Sequence, residues 1–176
     1  MRDRYFSMYQ SIKYKECFYM AHQEKAQKMY STYTTITIAL SILSVLIWSI
    51  SKTMPALWAI TIATAQFAQA FSSNLLCAKQ LGALKYLLPE LAKLSLDIDH
   101  NWLALNLNGY SDVQILELVS LYENRFESLQ KQFADDVPFN KKAAILEKTE
   151  LSHRSYFYIR YPEIKEIERR DPANVG

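Results

Sequence analysis

The stretch of residues 29–77, MYSTYTTITIALSILSVLIWSISKTMPALWAITIATAQFAQAFSSNLLC, decides the fold of this chain. Within it, Lys52 is the only side chain that normally carries a charge. This lysine divides the stretch into two apolar segments, residues 32–51 and residues 53–78. Each segment reaches the length of roughly 20 residues that an α-helix needs to cross the hydrocarbon core of a bilayer. The sequence therefore predicts two transmembrane helices joined by a tight turn.

The turn around Lys52 is so short that both ends of the predicted hairpin must lie on the same side of the membrane. Pro55 suits the first turn of the second helix, where its missing N–H has no intrahelical partner. Four lysines flank the hairpin on its open side, against one in the turn, and positive charge favours the cytoplasm. The sequence thus predicts a multi-pass protein with both termini in the cytoplasm. Aromatic residues expected to anchor the hairpin at the two interfaces are Tyr30, Tyr33, Trp48 and Trp58.

Polar and small side chains form a stripe along each apolar segment. Lipid cannot satisfy an amide, so Gln66 and Gln69 are expected to face protein or water. Such residues most often hold helices together, and the alternative is that they line a polar path. Two helices cannot enclose water by themselves, so a pore would need several copies of the chain. The residues expected to line a pore or to pack helices are Thr34, Thr37, Ser41, Ser44, Gln66, Gln69, Ser72 and Ser73.

The composition of the 176-residue chain argues against an enzyme. Three glycines are too few for phosphate-binding loops and tight sheet turns, and no CxxC, HExxH or nucleophile-elbow motif is present. We therefore expect no catalytic residue, metal or cofactor. The net charge of +2 gives no reason to expect direct nucleic-acid binding. Cys17 and Cys77 are far apart in the chain and are expected to be reduced, small apolar residues.

The predicted fold class is all-α, in three parts. Residues 1–31 are expected to form an N-terminal cytoplasmic helix that enters the membrane directly. Residues 32–78 are expected to form the transmembrane hairpin, and residues 79–176 are expected to form a cytoplasmic helical bundle or coiled coil. The N-terminal helix is amphipathic and rich in tyrosine. We expect it to pack on the cytoplasmic helices, and the alternative is that it lies on the inner leaflet with Lys13 and Lys15 near anionic headgroups.

The second apolar segment is expected to continue as a helix into the cytoplasm. Apolar residues there repeat at spacings of three and four, which is typical of a coiled-coil seam. The residues of this seam are Leu81, Leu84, Leu88, Leu91, Ser95, Ile98, Trp102 and Leu105. A capping box at Ser111 and Gln114 then predicts a helix that folds back against the seam. A further helix is predicted over about residues 140–158.

Two local groups of residues could carry chemistry. Asp97, Asp99 and His100 contain metal-ligand types, but their spacing favours a solvated charged turn over a metal site. The aromatic run of residues 156–161 could stack on bases beside a cation, although packing inside the protein is the more usual role of such a cluster. Within this run, residues that could contact a partner are Tyr156, Tyr158 and Arg160.

In its layout the chain resembles the SLATT family, small two-helix membrane effectors of bacterial conflict systems. The resemblance is carried by the tyrosine-rich helix of residues 5–30 that enters residues 33–50, by the link of residues 51–55, and by residues 57–77 running on into residues 79–105. It implies a toxin of the bacterial inner membrane that acts in antiviral defence, by abortive infection.

The resemblance also implies how such a toxin works. It would oligomerise in the lipid bilayer and permeabilise or disrupt it when a cytoplasmic partner activates or releases the chain. That partner would be a nucleotide-signalling enzyme, or a reverse transcriptase with its nucleic acid, as in a retron. The alternatives from other classes are a membrane-anchored adaptor that recruits a cytoplasmic partner without forming a pore, and an immunity-type protein.

Overall fold

A computed structural model of the chain describes residues 1–50, 55–71, 75–107 and 110–163. Within these ranges the chain is helical and contains no strand, which confirms the predicted all-α class there. The five α-helices are α1 (Arg2–Ile50), α2 (Pro55–Phe71), α3 (Leu76–Leu107), α4 (Asp112–Ala134) and α5 (Ala143–Arg160).

Helix α1 contains 49 residues without a break. At a rise of 1.5 Å per residue it is about 70 Å long. Its sequence contains neither glycine nor proline, so no residue interrupts the backbone hydrogen bonds. The prediction that the N-terminal helix enters the first apolar segment directly is confirmed.

The first half of α1 is buried among α3, α4 and α5, and we call this packed region the helical core. Tyr5 and Tyr9 of α1 are completely buried there. Lys13 is paired with Glu16 at 2.9 Å, and its ammonium lies 4.2 Å from the centre of the Tyr156 ring. The preferred prediction that this part of the chain packs on the later helices is therefore confirmed, and Lys13 is not directed toward lipid headgroups.

The buried face of α3 is wider than the predicted seam. Leu84, Leu91 and Ile98 are fully buried as expected, but so are Leu87 and Leu94, which the seam omitted. Ser95 and Leu105 of the predicted seam are buried as well. The other three seam residues lie at the edge of the core and are only partly buried: Leu81, Leu88 and Trp102. The reason is that α3 packs against both α1 and α4. A helix with two neighbours buries a broader stripe than the two positions per heptad of a simple coiled coil.

Helices α4 and α5 complete the helical core. Ser111 caps α4 and forms the predicted capping box with Gln114. Tyr122 and Arg125 of α4 face Asn101 and Asp97 of α3, so α4 runs antiparallel to α3 as expected. Helix α5 begins at Ala143, a few residues later than predicted.

Helix α2 covers Pro55–Phe71 of the second apolar segment, and residues 72–74 lie outside the described ranges. Helix α2 has 17 residues. Leu75 is a bend, and α3 begins only at Leu76, so the expectation of one helix running from the second apolar segment into the cytoplasm is wrong at this residue. In the described part of the chain, one helix is long and apolar enough, by length and composition, to cross a membrane: α1, in which an 18-residue window within Arg2–Leu46 has a mean hydropathy of 1.4.

Candidate functional site

The hydroxyl stripe of α1 is built from side chains that turn back onto their own helix. Thr34 donates to the carbonyl of Tyr30 at 2.9 Å, and Thr37 donates to the carbonyl of Tyr33 at 3.0 Å. Ser41 and Ser44 repeat the pattern toward the carbonyls four residues before them, at 2.9 Å and 2.7 Å. These bonds satisfy each hydroxyl proton within the helix. Each hydroxyl oxygen keeps acceptor capacity for a further partner.

A groove of about 290 Å³ runs along this stripe. It is open on one side, and its lining alternates hydroxyl and apolar groups along about three turns of α1. The residues that line it are Tyr30, Tyr33, Thr34, Thr37, Ile38, Ser41 and Ile42. The structure thus places three of the predicted stripe residues in one groove, whereas Ser44 is buried beyond its end.

Large apolar side chains are also exposed on this half of α1. They are Ile36, Ile38, Ile42, Leu43, Val45 and Leu46, of which Ile38 and Ile42 also line the groove. Monomeric soluble proteins rarely expose a contiguous apolar surface of this kind. This half of α1 therefore needs an apolar environment, either lipid or another protein surface.

Helix α2 lies against the same half of α1. The hydroxyl of Tyr33 donates to the backbone carbonyl of Ala68, which joins the two helices. Ala65 is buried, whereas Gln66 is exposed on the described chain. Ser72 and Ser73, and the side chains of Gln69, Trp48 and Trp58, lie outside the described residues. Of the predicted interface anchors, Tyr30 is exposed and Tyr33 half-buried.

A buried carboxylate, Asp99, joins three helices of the core. Its Oδ1 accepts hydrogen bonds from the hydroxyls of Tyr9 at 3.0 Å and Tyr161 at 2.8 Å, and its Oδ2 accepts from Arg160 at 2.8 Å. Tyr9 also shares a hydrogen bond of 2.8 Å with the hydroxyl of Tyr156. We call these five residues the Asp99 cluster. It links α1, α3 and the C-terminal end of α5.

Electrostatics keep Asp99 ionised. Burial by itself raises the pKa of a carboxyl group, but the hydrogen bonds from Arg160, Tyr161 and Tyr9 outweigh it, so the pKa of Asp99 is lowered from its ordinary value. Burial, followed by the Tyr156 hydrogen bond, raises the pKa of Tyr9. The expectation of a solvated turn at residues 97–100 is therefore wrong for Asp99. Sequence reasoning missed this role because the partners lie 61 to 90 residues away.

The aromatic run of α5 is mostly engaged inside the protein. Phe157 is buried in the core, while Tyr156 and Arg160 belong to the Asp99 cluster. The packing interpretation of this run is confirmed for these residues. Both side chains thus already have partners within the protein, while the Arg160 side chain stays 46% exposed. Tyr158 is half-buried.

Metal-binding groups are not assembled in the described ranges, where no three residues of the types His, Cys, Asp and Glu come together to hold an ion. Cys17 and Cys77 are both free and buried. Burial is the main factor that raises the pKa of the Cys17 thiol. His153, which contacts the carbonyl of Gln10 at 3.2 Å, has its pKa lowered mainly by burial.

Comparison of the chain with protein-family models, with curated proteins and with solved structures finds no match. The candidate site therefore consists of what the geometry itself shows: a hydroxyl groove on an exposed apolar helix, continuous with a compact helical core that the Asp99 cluster holds together.

Proposed function

We propose that the chain is a membrane effector that oligomerises and permeabilises a bacterial inner membrane when a cytoplasmic partner activates or releases it. The observation that carries this proposal is the groove on the exposed apolar half of α1, which contains Thr34, Thr37 and Ser41. Its position gives one helix both a surface for lipid and a surface for water or for polar groups of another copy.

The exposed surfaces of α1 and α2 favour different environments. The apolar residues of α1 are stable in hydrocarbon, whereas the exposed amide of Gln66 on α2 is costly there unless it finds a partner. Two helices cannot shield an amide and a hydroxyl groove from lipid at the same time. In an oligomer, the Gln66 amide and the hydroxyl groove can both face the centre, away from lipid. They then form a polar lining around water in the centre of the oligomer.

The proposed topology is a hairpin with both termini in the cytoplasm. The contact between Tyr33 and Ala68 supports it, because it joins the cytoplasmic end of α1's apolar half to the end of α2. The balance of flanking lysines supports the orientation. In this arrangement the helical core lies on the cytoplasmic side, where a reverse transcriptase with its nucleic acid or a nucleotide-signalling enzyme could reach it.

Helix α1 offers the mechanical link between the core and the membrane. Tyr9 in the core and Thr37 in the groove belong to the same unbroken helix. A partner that opens the Asp99 cluster would change how α1 is held by α3 and α5, and a rigid helix carries such a change to its other end. This role falls to α1 because the helix from the second apolar segment is interrupted at Leu75.

A membrane-anchored adaptor, or an immunity-type protein, is the second candidate. The observation that favours it is that each hydroxyl of the stripe is already bonded to a carbonyl of its own helix, so the groove has no need of water. Expression without any partner separates the candidates. An effector depolarises and kills the cell, whereas an adaptor or an immunity-type protein leaves the membrane potential and viability unchanged.

The polar path is tested by replacing Gln66 and Gln69 together with leucine. Leucine keeps the helix and its bulk but removes both amides, so we expect depolarisation measured with a potential-sensitive dye to be abolished. The matched control is Ile60→Leu, a change on the exposed apolar side of α2 that should leave activity intact. Undiminished depolarisation by the double variant, at equal amounts of membrane-inserted protein, refutes the polar path.

A further inference from the structure

The hydroxyl groove on α1 offers hydrogen-bond acceptors. Thr34, Thr37 and Ser41 each donate their hydroxyl proton to a carbonyl of their own helix. Each hydroxyl oxygen can still accept a hydrogen bond from another group. Hydrocarbon supplies no donor for it. In a membrane, a groove of this composition therefore favours a partner that brings an N–H group.

One side of α2 carries such a group. Ala65 of α2 is buried, and its helix packs against α1. Consecutive residues are about 100° apart around an α-helix, so the exposed Ala63, two positions before Ala65, lies on the side away from α1. Gln66 is exposed next to this side, and its amide nitrogen is a hydrogen-bond donor. We call this side the outer face of α2, and its exposed residues are Ala59, Ala63, Gln66 and Ala70.

The groove and the outer face lie at the same depth along the hairpin. Tyr33 donates to the carbonyl of Ala68, so α1 and α2 are level at these residues. The link between the two helices is short, so α2 runs back antiparallel to α1. Five residues forward along α1 therefore match five residues backward along α2, about 7.5 Å in each case. Ile38 in the groove is thus level with Ala63.

The side chains at matching depths also differ in size. Ile38 and Ile42 line the groove and are 55% and 58% exposed. The residues of the outer face at the same two levels are alanines, Ala63 and Ala59. Small residues allow another helix to approach closely, and membrane helices often associate through such contacts. The large side chains of the groove therefore fit against the small ones of the outer face.

We propose that the groove of one copy of the chain binds the outer face of α2 from a second copy. Copies in one bilayer are related by rotation about the membrane normal, which leaves the depth of every residue unchanged. Ile38 of one copy then meets Ala63 of the next. Gln66 comes to lie beside Thr34, and its amide donates to the hydroxyl oxygens of the groove. This contact rests on the proposed membrane oligomer and specifies how its copies meet.

The contact joins two different surfaces of the chain. The groove belongs to α1, and the outer face of α2 is directed away from α1, so one copy can use both surfaces at once. Head-to-tail contacts of this kind close into a ring when the rotation between copies permits it. Every contact then brings a hydroxyl groove and a Gln66 amide from different copies together, so the polar path is incomplete in a single chain.

The test is disulfide crosslinking between two differently tagged copies of the full chain in bacterial membranes. One copy carries Ile38→Cys and the other carries Ala63→Cys, and a second pair carries Ile42→Cys and Ala59→Cys. After brief co-expression, isolated membranes are oxidised with copper phenanthroline and separated on a non-reducing gel. The unchanged chain gives the background, since both of its own cysteines are buried.

The matched control combines Ile36→Cys with Ala63→Cys. Ile36 is 54% exposed and lies only about 3 Å from Ile38 in depth, but on the opposite side of α1. A disulfide requires Cα atoms within roughly 7 Å of each other. We therefore expect dimers that carry both tags from the two test pairs, and none above background from the control pair.

The role of the amide is tested by adding Gln66→Leu to the copy that carries Ala63→Cys. Hydrogen bonds between membrane helices are modest in strength, so the association should weaken roughly threefold to tenfold. The readout is the fraction of dimer that carries both tags, at equal expression. Ile60→Leu is the matched control on the same helix, since it changes an exposed residue outside the outer face and should leave this fraction unchanged.

Three results overturn the proposed contact: no dimer with both tags from either test pair, an equal yield from the control pair, or a yield that Gln66→Leu leaves unchanged. A dimer of two Ala63→Cys copies also overturns it, because outer faces would then meet each other. Depolarisation by the unchanged chain is measured separately. If the chain depolarises cells without the expected dimers, the contact is wrong and the membrane effector stands. If the dimers form without depolarisation, the contact stands and the permeabilising function is wrong.

Discussion

The replacement Asp99→Asn tests whether the Asp99 cluster stabilises the helical core. Asparagine keeps the shape of the side chain and one acceptor oxygen, which can still serve Tyr9 and Tyr161. Its amide nitrogen cannot accept the hydrogen bond from Arg160. The variant therefore loses one ion pair and turns two charge-assisted hydrogen bonds into neutral ones, which are roughly half as strong.

The expected cost follows from these contacts. A hydrogen bond to a charged group contributes about 1.5–3 kcal/mol, but the Arg160 side chain is 46% exposed, so solvent screening reduces its share. Removal of a buried charge also recovers part of its desolvation cost. The sum is about 2 kcal/mol of unfolding free energy, or roughly 4–8 °C in melting temperature for a chain of this size.

The assay is thermal unfolding of the full chain in detergent, followed by far-UV circular dichroism. Asp97→Asn is the matched control on the same helix. The Asp97 side chain is 53% exposed and meets Arg125 only at 3.4 Å, so its loss should cost less than about 0.5 kcal/mol. If the two variants lower the melting temperature equally, or if Asp99→Asn changes it by less than about 1 °C, the reasoning is wrong.

Two further predictions concern the same core. Leu91→Ala should lower the unfolding free energy by about 2–5 kcal/mol, because it leaves a cavity at a fully buried position; the exposed Leu96→Ala should change it by less than about 0.5 kcal/mol in the same assay. Acid should remove the contribution of Asp99 to stability. The pKa of this carboxyl group is lower in the folded chain than in the unfolded chain, so its contribution is complete at a pH above the unfolded pKa. It is lost as the pH falls through the folded pKa. The gap in melting temperature between the unchanged chain and Asp99→Asn should therefore narrow below about pH 4; a gap that stays constant down to pH 2 would contradict this assignment.

Much of the helical organisation could be predicted because its causes are local. The absence of glycine and proline over Arg2–Ile50 allows one long helix, and the capping box at Ser111 fixes the start of α4. The helix that begins there buries Val119 and Tyr122, which lie three residues apart on one face. Each of these features depends on residues only a few positions apart.

The candidate sites could be predicted only in part. Thr34, Thr37 and Ser41 share a groove because residues three and four apart lie on one face of a helix. The Asp99 cluster gave no signal in the sequence, because Tyr9 and Arg160 lie 90 and 61 residues away from Asp99.

The sequence by itself determined the all-α class and which half of α1 is apolar, because backbone propensity and hydrophobic periodicity act over a few residues. The tertiary structure alone decided that Asp99 is a buried hub and that Leu87 and Leu94 join the core. These properties depend on which helices meet. Which helices meet is decided by contacts between residues that are far apart in the sequence, such as Tyr9 and Tyr156. A local sequence pattern does not predict such contacts.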